Sequence, residues 1–271
     1  MQANEFFEDK PKTSILLCGN FGEGKTSVMI TFPRFMYVGF RQGGLTVLKQ
    51  EKNEKYRKNL VRYEELIPKD DDELKTFFQL KTGRLSLLLK EAQELAQKGE
   101  IESLIIDDFT DAVDNEQKFV WTHQKATTQT GQADTQAMYG QVKINLSNRL
   151  DREIMPFRKY GNLLVGCHLM REAEQTLEGT KTRAGAVDKN SDVYPDIVGG
   201  FRREIHRKFE NVFYMETKLD AGGGRKFRAY TCKQQAMGTV ILAKNTMGLE
   251  PVIESVSYET IFKPKQTTGA K

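Results

Sequence analysis

The sequence predicts an α/β fold in which a mostly parallel central sheet is flanked by helices and extended by a C-terminal β-hairpin. Three short apolar segments, residues 14–18, 103–108 and 162–167, are the basis of this prediction, and polar residues occur at the carboxyl end of each. Continuous apolar runs of this length are typical of strands that are buried on both faces. Parallel sheets bind ligands at the carboxyl ends of their strands, so these polar residues are expected to meet at one edge.

The first apolar segment leads into a glycine-rich loop. Residues 19–26 read G-N-F-G-E-G-K-T, which is the Walker A pattern of a phosphate-binding loop, and a short helix over residues 26–30 is predicted to follow. Glycines allow the backbone to turn its N–H groups around an anion, and the helix N-terminus adds a partial positive charge. The residues predicted to bind ATP are Gly19, Asn20, Phe21, Gly22, Glu23, Gly24, Lys25, Thr26 and Ser27.

Two of these side chains have specific predicted roles. Lys25 is expected to contact the β- and γ-phosphates, and Thr26 is expected to place its hydroxyl on Mg²⁺. The segment at 103–108 ends in Asp107 and Asp108, as a Walker B strand does. Without the phosphate loop, residues 103–108 would be interpreted as an apolar strand followed by an acidic turn with no role in binding. With the loop present, Asp107 is predicted to be the Mg²⁺ partner, so ATP and Mg²⁺ are the predicted cofactors.

Composition sets broader limits. The chain has 271 residues, of which 38% are hydrophobic, and its net charge of +4 is too small to identify a nucleic-acid-binding protein. No apolar run reaches the length of a membrane span, and the acidic N-terminus lacks the pattern of a signal peptide, which predicts a cytoplasmic protein with no membrane partner. Cys18, Cys167 and Cys232 lack metal-ligand spacing and are interpreted as reduced core residues.

We divide the chain into an N-terminal segment (residues 1–12), a main α/β domain (13–255) and a C-terminal tail (256–271). In the main domain, residues 35–40 are predicted to form a second buried strand. Apolar residues at intervals of three and four predict an amphipathic helix over residues 85–96.

Other parts of the main domain are more polar. Residues 45–84 carry mixed charges and are interpreted as a helical insertion on the surface, without chemistry. Two further stretches, 111–141 and 170–203, are predicted to be irregular, and long irregular stretches in a compact domain are usually functional or disordered. Residues 209–219 and 226–233 alternate in the manner of strands and predict the hairpin.

His168 follows directly after the third apolar strand, where the nucleotide is expected. A lone histidine is more often structural than catalytic, but this position makes His168 a candidate catalytic residue. The stretch 170–203 combines glycines with cations that could contact the phosphates of a nucleic acid, and a solvated surface loop is the alternative. These candidate DNA-binding residues are Arg171, Lys181, Arg183, Lys189, Arg202 and Arg203.

These motifs occur in a characteristic order, completed by Tyr-Gly at 139–140, P-D-I-V-G-G at 195–200 and A-K-N at 243–245. The order resembles that of the phage-encoded RecA-like ATPases, small AAA-type nucleotide-binding proteins associated with single-strand annealing and recombination. The resemblance covers roughly residues 12–255. It implies a RecA-like P-loop NTPase core that acts in a phage-infected bacterial cell.

The resemblance also implies partners. ATP would lie between neighbouring subunits of a homo-oligomeric ring or filament, single-stranded DNA would contact the stretches 111–141 and 170–203, and a single-strand-binding protein would be a further partner. Lys244 would contact the nucleotide of the adjacent subunit, and the alternative is a surface lysine at the end of a strand.

Gln42 departs from the pattern of this family. RecA-like enzymes usually carry a water-activating glutamate at the end of the second strand, and a carboxamide can orient water but cannot accept its proton. General-base assistance is worth about 10²- to 10⁴-fold, so hydrolysis is expected to be slow unless Asp108 serves instead. Glu23 could point to the γ-phosphate or to solvent, and its position in the sequence does not decide between them.

Three other function classes stay open on the sequence alone. A terminase-like or helicase-like motor would use the same ATP site for translocation along DNA. A small-molecule kinase would need an acceptor pocket and a lid, for which Arg171 and Arg183 are the available arginines. An assembly protein would bind ATP with little catalysis, which the glutamine at position 42 favours.

Overall fold

The computed structural model describes residues 12–124, 134–171, 193–197, 201–220, 222–236 and 239–262. In chain order its strands are β1 (Ser14–Cys18), β2 (Phe35–Gly39), β3 (Leu60–Glu65), β4 (Ser103–Asp107), β5 (Asn162–Cys167), β6 (Leu169–Arg171), β7 (Val193–Pro195), β8 (Asn211–Leu219), β9 (Arg225–Tyr230), β10 (Gln234–Ala236), β11 (Thr239–Ile241) and β12 (Val252–Ile253).

The α-helices are α1 (Lys25–Met29), α2 (Gly44–Lys49), α3 (Glu54–Arg57), α4 (Asp71–Phe78), α5 (Arg84–Gln97), α6 (Phe109–His123), α7 (Thr135–Arg149), α8 (Phe201–Lys208) and α9 (Tyr258–Phe262). Short 3₁₀ segments at Glu51–Asn53 and Met155–Lys159 and a π-helical segment at Leu150–Ile154 complete the helical structure. No helix in the described ranges is long and apolar enough to cross a membrane.

The central sheet has eight strands in the order β12-β9-β8-β1-β5-β4-β2-β3. The strands from β8 to β3 run parallel, whereas β9 pairs antiparallel with β8 and β12 pairs antiparallel with β9. The predicted α/β class, the mostly parallel sheet and the C-terminal hairpin are therefore confirmed.

The inner strands are buried on both faces because helices cover the sheet on each side. Every residue of β1, β2, β4 and β5 is buried. Successive side chains of a strand point to opposite faces, so Leu16 and Cys18 belong to one apolar cluster, while Ile15 and Leu17 belong to the other. This double cover explains why the sequence of these strands is a continuous apolar run.

The predicted helical insertion at 45–84 is only partly correct. It contains α2, α3 and α4, but it also contains β3, which pairs parallel with β2 at the edge of the sheet. β3 is half-buried and carries charged residues, and Arg62 pairs there with Glu64 and with Glu91 of α5. Paired charges are compatible with a strand at the edge of the sheet. Because β3 is charged, however, it does not appear in the sequence as an apolar run.

The irregular structure predicted for 111–141 is wrong for most of that stretch. Helix α6 continues to His123 and α7 begins at Thr135, while residues 125–133 lie outside the described part. Polar side chains dominate the two helices because several are paired with each other; Asn145 on α7, for example, donates to the buried Glu116 on α6 over 2.9 Å. In the second stretch predicted to be irregular, 170–203, the described residues include an antiparallel pairing of β6 with β7.

The predicted C-terminal tail starts too early. Tyr258 and Phe262 belong to helix α9 and pack on Phe32, with ring centroids 5.2 and 5.9 Å apart. Val256 is also buried in the apolar cluster of that face. The described part of the tail is therefore joined to the core of the domain.

Candidate nucleotide-binding site

The phosphate loop connects β1 to α1 at the carboxyl edge of the sheet. Its first amide, the N–H of Gly19, donates to the carbonyl of Cys167 on β5 over 3.0 Å. Gly22 and Gly24 adopt left-handed backbone conformations with φ of 80° and 82°, which glycine tolerates without steric cost. At Gly24 a Cβ atom would also lie 2.2 Å from the ring of Phe227, so a side chain is excluded there.

Lys25 is held between the loop and the end of β4. Its Nζ donates to the carbonyl of Gly19 over 2.6 Å and to that of Asn20 over 3.3 Å, and it lies 3.5 Å from Oδ2 of Asp108. Only 7% of the side chain is exposed. The ammonium group is therefore a largely desolvated positive charge at the loop, as a phosphate contact requires.

Thr26 and Asp107, the two predicted magnesium ligands, are in direct contact. Oγ1 of Thr26 donates to Oδ2 of Asp107 over 2.5 Å, and Oη of Tyr37 donates to the same oxygen over 2.8 Å. A hydroxyl and a carboxylate oxygen suit Mg²⁺, which is usually held by one or two carboxylates together with phosphates and waters. The described residues contain no group of three or more His, Cys, Asp and Glu side chains that could hold a metal ion.

The two aspartates at the end of β4 differ electrostatically. Burial raises the pKa of Asp107, and the negative charge of Asp108 raises it further, against the hydrogen bonds from Thr26 and Tyr37. Burial also acts to raise the pKa of Asp108, but the hydrogen bond from His168 and the charge of Lys25 outweigh it and lower that pKa. Asp108 is thus held ionised beside the lysine.

His168 follows β5 and lies beside Asp108, a contact that the sequence did not predict. Its Nε2 is 2.9 Å from Oδ2 of Asp108, and its backbone N–H donates to Oγ1 of Thr110 over 2.9 Å. Asp108 also accepts from the N–H of Thr110 over 2.9 Å and so begins helix α6. With a proton on Nε2, the imidazole donates to a carboxylate that the helix start holds in place.

Arg41 and the ring of Phe21 complete this side of the site. Nη1 of Arg41 is 3.2 Å from Nε2 of His168, and Nε of Arg41 is 3.7 Å from Oδ2 of Asp111. The guanidinium also lies 4.1 Å from the centroid of the Phe21 ring, which is itself 3.9 Å from the imidazole. Sequence reasoning missed Arg41, although it follows β2 at the same edge of the sheet.

Tyr37 was also missed, because it lies inside the apolar run of β2 and was interpreted as core. Its ring stacks on Tyr63 with centroids 5.3 Å apart, and only its hydroxyl reaches Asp107. Burial raises the pKa of this phenol, and the negative charge of Asp107 raises it further.

These groups surround a cleft of about 350 Å³. Gln42 lines the cleft and is exposed, at the position where the family resemblance implies a glutamate. The cleft is lined on its other sides by α2, by the 3₁₀ segment that follows it and by the hairpin of β8 and β9. The lining residues there are Val47, Gln50, Lys52, Arg225 and Phe227.

Glu23 turns back on the loop. Its carboxylate accepts a hydrogen bond from the N–H of Asn20, while its own N–H donates to the carbonyl of Asn20 over 3.3 Å. Burial raises the pKa of Glu23 against the hydrogen bond from Asn20. The side chain therefore closes the turn at 20–23, an orientation that differs from both of those that the sequence left open.

The remaining predicted site residues lie elsewhere. Lys244 pairs with Val212 in the first half of β8, and its Nζ donates to the carbonyl of Phe209 over 2.8 Å. It does not line the cleft of its own subunit. Its role toward a neighbouring subunit stays a prediction.

The candidate DNA-binding residues are described only in part. Arg171 ends β6, Arg202 and Arg203 belong to the first turn of α8, and the side chains of Arg171 and Arg203 are not described. Lys181, Arg183 and Lys189 lie outside the described residues.

A phosphate loop between β1 and α1, with two aspartates at the end of β4 and one strand between β1 and β4, defines a P-loop ATPase. The chain belongs to the AAA domain family, whose model matches residues 11–247. The AAA-type part of the resemblance is therefore confirmed. No curated protein matches the chain.

Two solved structures are similar to parts of this fold. A KaiC-like protein from the hyperthermophilic archaeon Pyrococcus horikoshii OT3 is 11% identical, with a TM-score of 0.40, over 81% of this chain and 78% of that one. The flagellar accessory protein FlaH from Methanocaldococcus jannaschii is 14% identical, with a TM-score of 0.42, over 90% of this chain and 85% of that one.

Proposed function

We propose that this protein binds ATP with Mg²⁺ in the cleft and hydrolyses it slowly to ADP and phosphate. The observation that carries the proposal is that four polar side chains meet at one edge of the sheet. Nζ of Lys25 lies 3.5 Å from Oδ2 of Asp108, and Oγ1 of Thr26 lies 2.5 Å from Oδ2 of Asp107. Loop amides and the Lys25 ammonium bind the β- and γ-phosphates. Thr26 and Asp107 hold Mg²⁺, which supplies positive charge against the phosphate oxygens when it is bound.

Asp108, His168 and Gln42 are proposed to act on the attacking water. Gln42 can orient a water molecule but cannot accept its proton. The lowered pKa of Asp108 makes its carboxylate a weak base, and its contacts to Lys25 and His168 fit it for holding those two groups in position. Weak general-base assistance is the physical reason to expect slow hydrolysis.

Replacement of Asp108 by asparagine is expected to lower the turnover of ATP by about 10²-fold while changing ATP affinity much less, because the ionised carboxylate beside His168 is lost. Steady-state phosphate release and equilibrium ATP binding measure the two effects. The matched variant Gln42→Glu restores a carboxylate at the cleft and is expected to raise turnover. Full activity in Asp108→Asn would remove Asp108 from the mechanism.

We further propose that the protein works as a homo-oligomeric ring or filament on single-stranded DNA, in phage-type recombination or annealing, with a single-strand-binding protein as a partner. Two exposed apolar side chains near the cleft support the oligomer: Phe21 is 68% exposed and Leu219 is 72% exposed. Exposed apolar groups at a ligand site are typical of a surface that a second chain covers.

The connection of the second candidate DNA segment to the ATP site supports the DNA partner. β6 begins directly after His168, and the N–H of Asp196, just after β7, donates to the carbonyl of His168 over 2.8 Å. β6 and β7, the described strands that precede and follow residues 172–192, are therefore attached beside the group that contacts Asp108. A nucleotide-dependent change at His168 would reach β6 and β7 through a few covalent and hydrogen bonds.

Removal of the cations at Arg171, Lys181 and Arg183 by alanine is expected to weaken binding of single-stranded DNA and to lower the slope of log K against log salt by about two units, at roughly 0.7 for each lost phosphate contact. Binding of a labelled oligonucleotide over a range of salt concentrations gives the slope. The matched control replaces three lysines of α5 and its flank, Lys81, Lys90 and Lys98, and should leave the slope unchanged. An unaltered slope in the test variant would move the DNA site elsewhere.

One measurement, ATP turnover with and without single-stranded DNA, tests the whole proposal. Slow turnover that DNA changes supports it. Fast, processive, DNA-stimulated turnover would indicate a translocating motor, and phosphate transfer to a small molecule would indicate a kinase. ATP binding without turnover would indicate an assembly protein.

A further inference from the structure

The hairpin of β8 and β9 extends beyond the end of β1 and lies against the phosphate loop. β8 pairs with β1 only as far as Tyr214, which lies opposite Cys18, the last residue before the loop. Beyond that point the hairpin presents successive cross-strand pairs on one face: Met215 with Ala229, Thr217 with Phe227, and Leu219 with Arg225.

The first two pairs contact glycines of the loop. A Cβ atom at Gly19 would lie 2.9 Å from Cβ of Met215, so the two backbones approach closely there. Oγ1 of Thr217 donates to the carbonyl of Gly22 over 3.0 Å. The ring of Phe227 lies over Gly24, so the hairpin holds the loop along its length.

The third pair lies one step further out, past the loop. Residues two positions apart on a strand are separated by about 6.8 Å. Arg225 therefore lies about that far beyond Phe227, at the cleft. Arg225 lines the cleft, and both Arg225 and its partner Leu219 are exposed to solvent. Within the described ranges the Arg225 side chain makes no ion pair, unlike Lys25 and Arg41, which pair with Asp108 and Asp111.

We propose that Arg225 contacts the polyphosphate of the bound nucleotide within the same subunit, so that the hairpin clamps the nucleotide as well as the loop. Guanidinium groups bind phosphate oxygens through two parallel hydrogen bonds, and a rigid strand pair anchored by Thr217 and Phe227 fixes where Arg225 can reach. This inference rests on the proposed function, since it needs a nucleotide in the cleft.

Replacement of Arg225 by alanine is the test, with equilibrium binding of ATP, ADP and AMP in the presence of Mg²⁺ as the readout. The expected result is about tenfold weaker ATP binding, a smaller loss for ADP and almost none for AMP, since one charge-assisted contact to the outer phosphates disappears. Arg225→Lys keeps the charge and should recover part of the affinity. Lys226→Ala removes the neighbouring cation on the opposite face and should bind all three nucleotides as the unaltered protein does.

Each outcome separates this inference from the proposed function. If the unaltered protein binds no ATP, the proposed function fails. If it binds ATP and Arg225→Ala binds ATP equally well, only the role of Arg225 is overturned. An equal loss for ATP and AMP would also overturn it, because the contact would then be to the nucleoside and not to the polyphosphate.

Discussion

Replacement of Lys25 by alanine is expected to weaken ATP binding by at least about a hundredfold and to leave the protein folded. The side chain of Lys25 is only 7% exposed, and in the proposed function its Nζ contacts the β- and γ-phosphates. Charge-assisted hydrogen bonds are worth about 1.5–3 kcal/mol each, and each 1.4 kcal/mol is a factor of about ten in affinity. Isothermal titration with ATP and Mg²⁺ measures the loss.

The folded state of this variant needs its own check. Lys25 makes hydrogen bonds to two loop carbonyls but fills no apolar core position, and Asp108 keeps its partner His168 when the lysine is removed. The melting temperature should therefore change little without nucleotide. Lys90→Ala, on the exposed side of α5, is the matched lysine control. Unchanged ATP affinity in a folded Lys25→Ala protein would end the interpretation of residues 19–26 as a phosphate loop.

The sequence predicted the inner strands and the loop well for a physical reason. β1, β4 and β5 are covered on both faces, so nearly all their residues must be apolar, and this signal is strong even in short segments. Gly22 and Gly24 are required by their left-handed backbone conformations, and Gly24 also by the nearby ring of Phe227. Such requirements leave glycines at fixed positions, which a short sequence motif can detect.

The parts that the sequence did not predict depend on contacts between distant residues. β3 is charged because Arg62 pairs with Glu91 and Glu64 pairs with Arg84, both on α5. These pairings span 29 and 20 positions and leave no local pattern. Arg41 belongs to the site only because β2 and β5 end at the same edge, which brings it to His168 from 127 positions away. Helix α6 and the first part of α7 were missed because buried polar side chains join the two helices, among them the ion pair of Arg149 with Glu116.

That ion pair is the centre of a buried polar cluster. Arg149 is 2% exposed, and its guanidinium lies 3.2 Å from Glu116 on α6 and 2.8 Å from Glu153. It also donates to the carbonyl of Phe78 at the end of α4 and to Ser86 of α5 over 2.5 and 3.3 Å. The Arg149 side chain therefore connects its own helix, α7, to α4, α5 and α6.

Replacement of Arg149 by alanine is expected to destabilise the protein by about 3–5 kcal/mol, because Glu116, with none of its surface exposed, is left as a buried charge without its cation. Urea unfolding measures the loss, and Arg152→Ala, an exposed neighbour, should change stability by less than about 0.5 kcal/mol.

The loss of stability in Arg149→Ala should also depend on pH. Burial already raises the pKa of Glu116 against the charge of Arg149, so without the arginine the carboxyl takes up a proton more readily in the folded state. A raised folded pKa favours the native state as pH falls, so the deficit of Arg149→Ala should shrink toward low pH. A deficit that is small, or that does not change with pH, would contradict a central role for this charge pair.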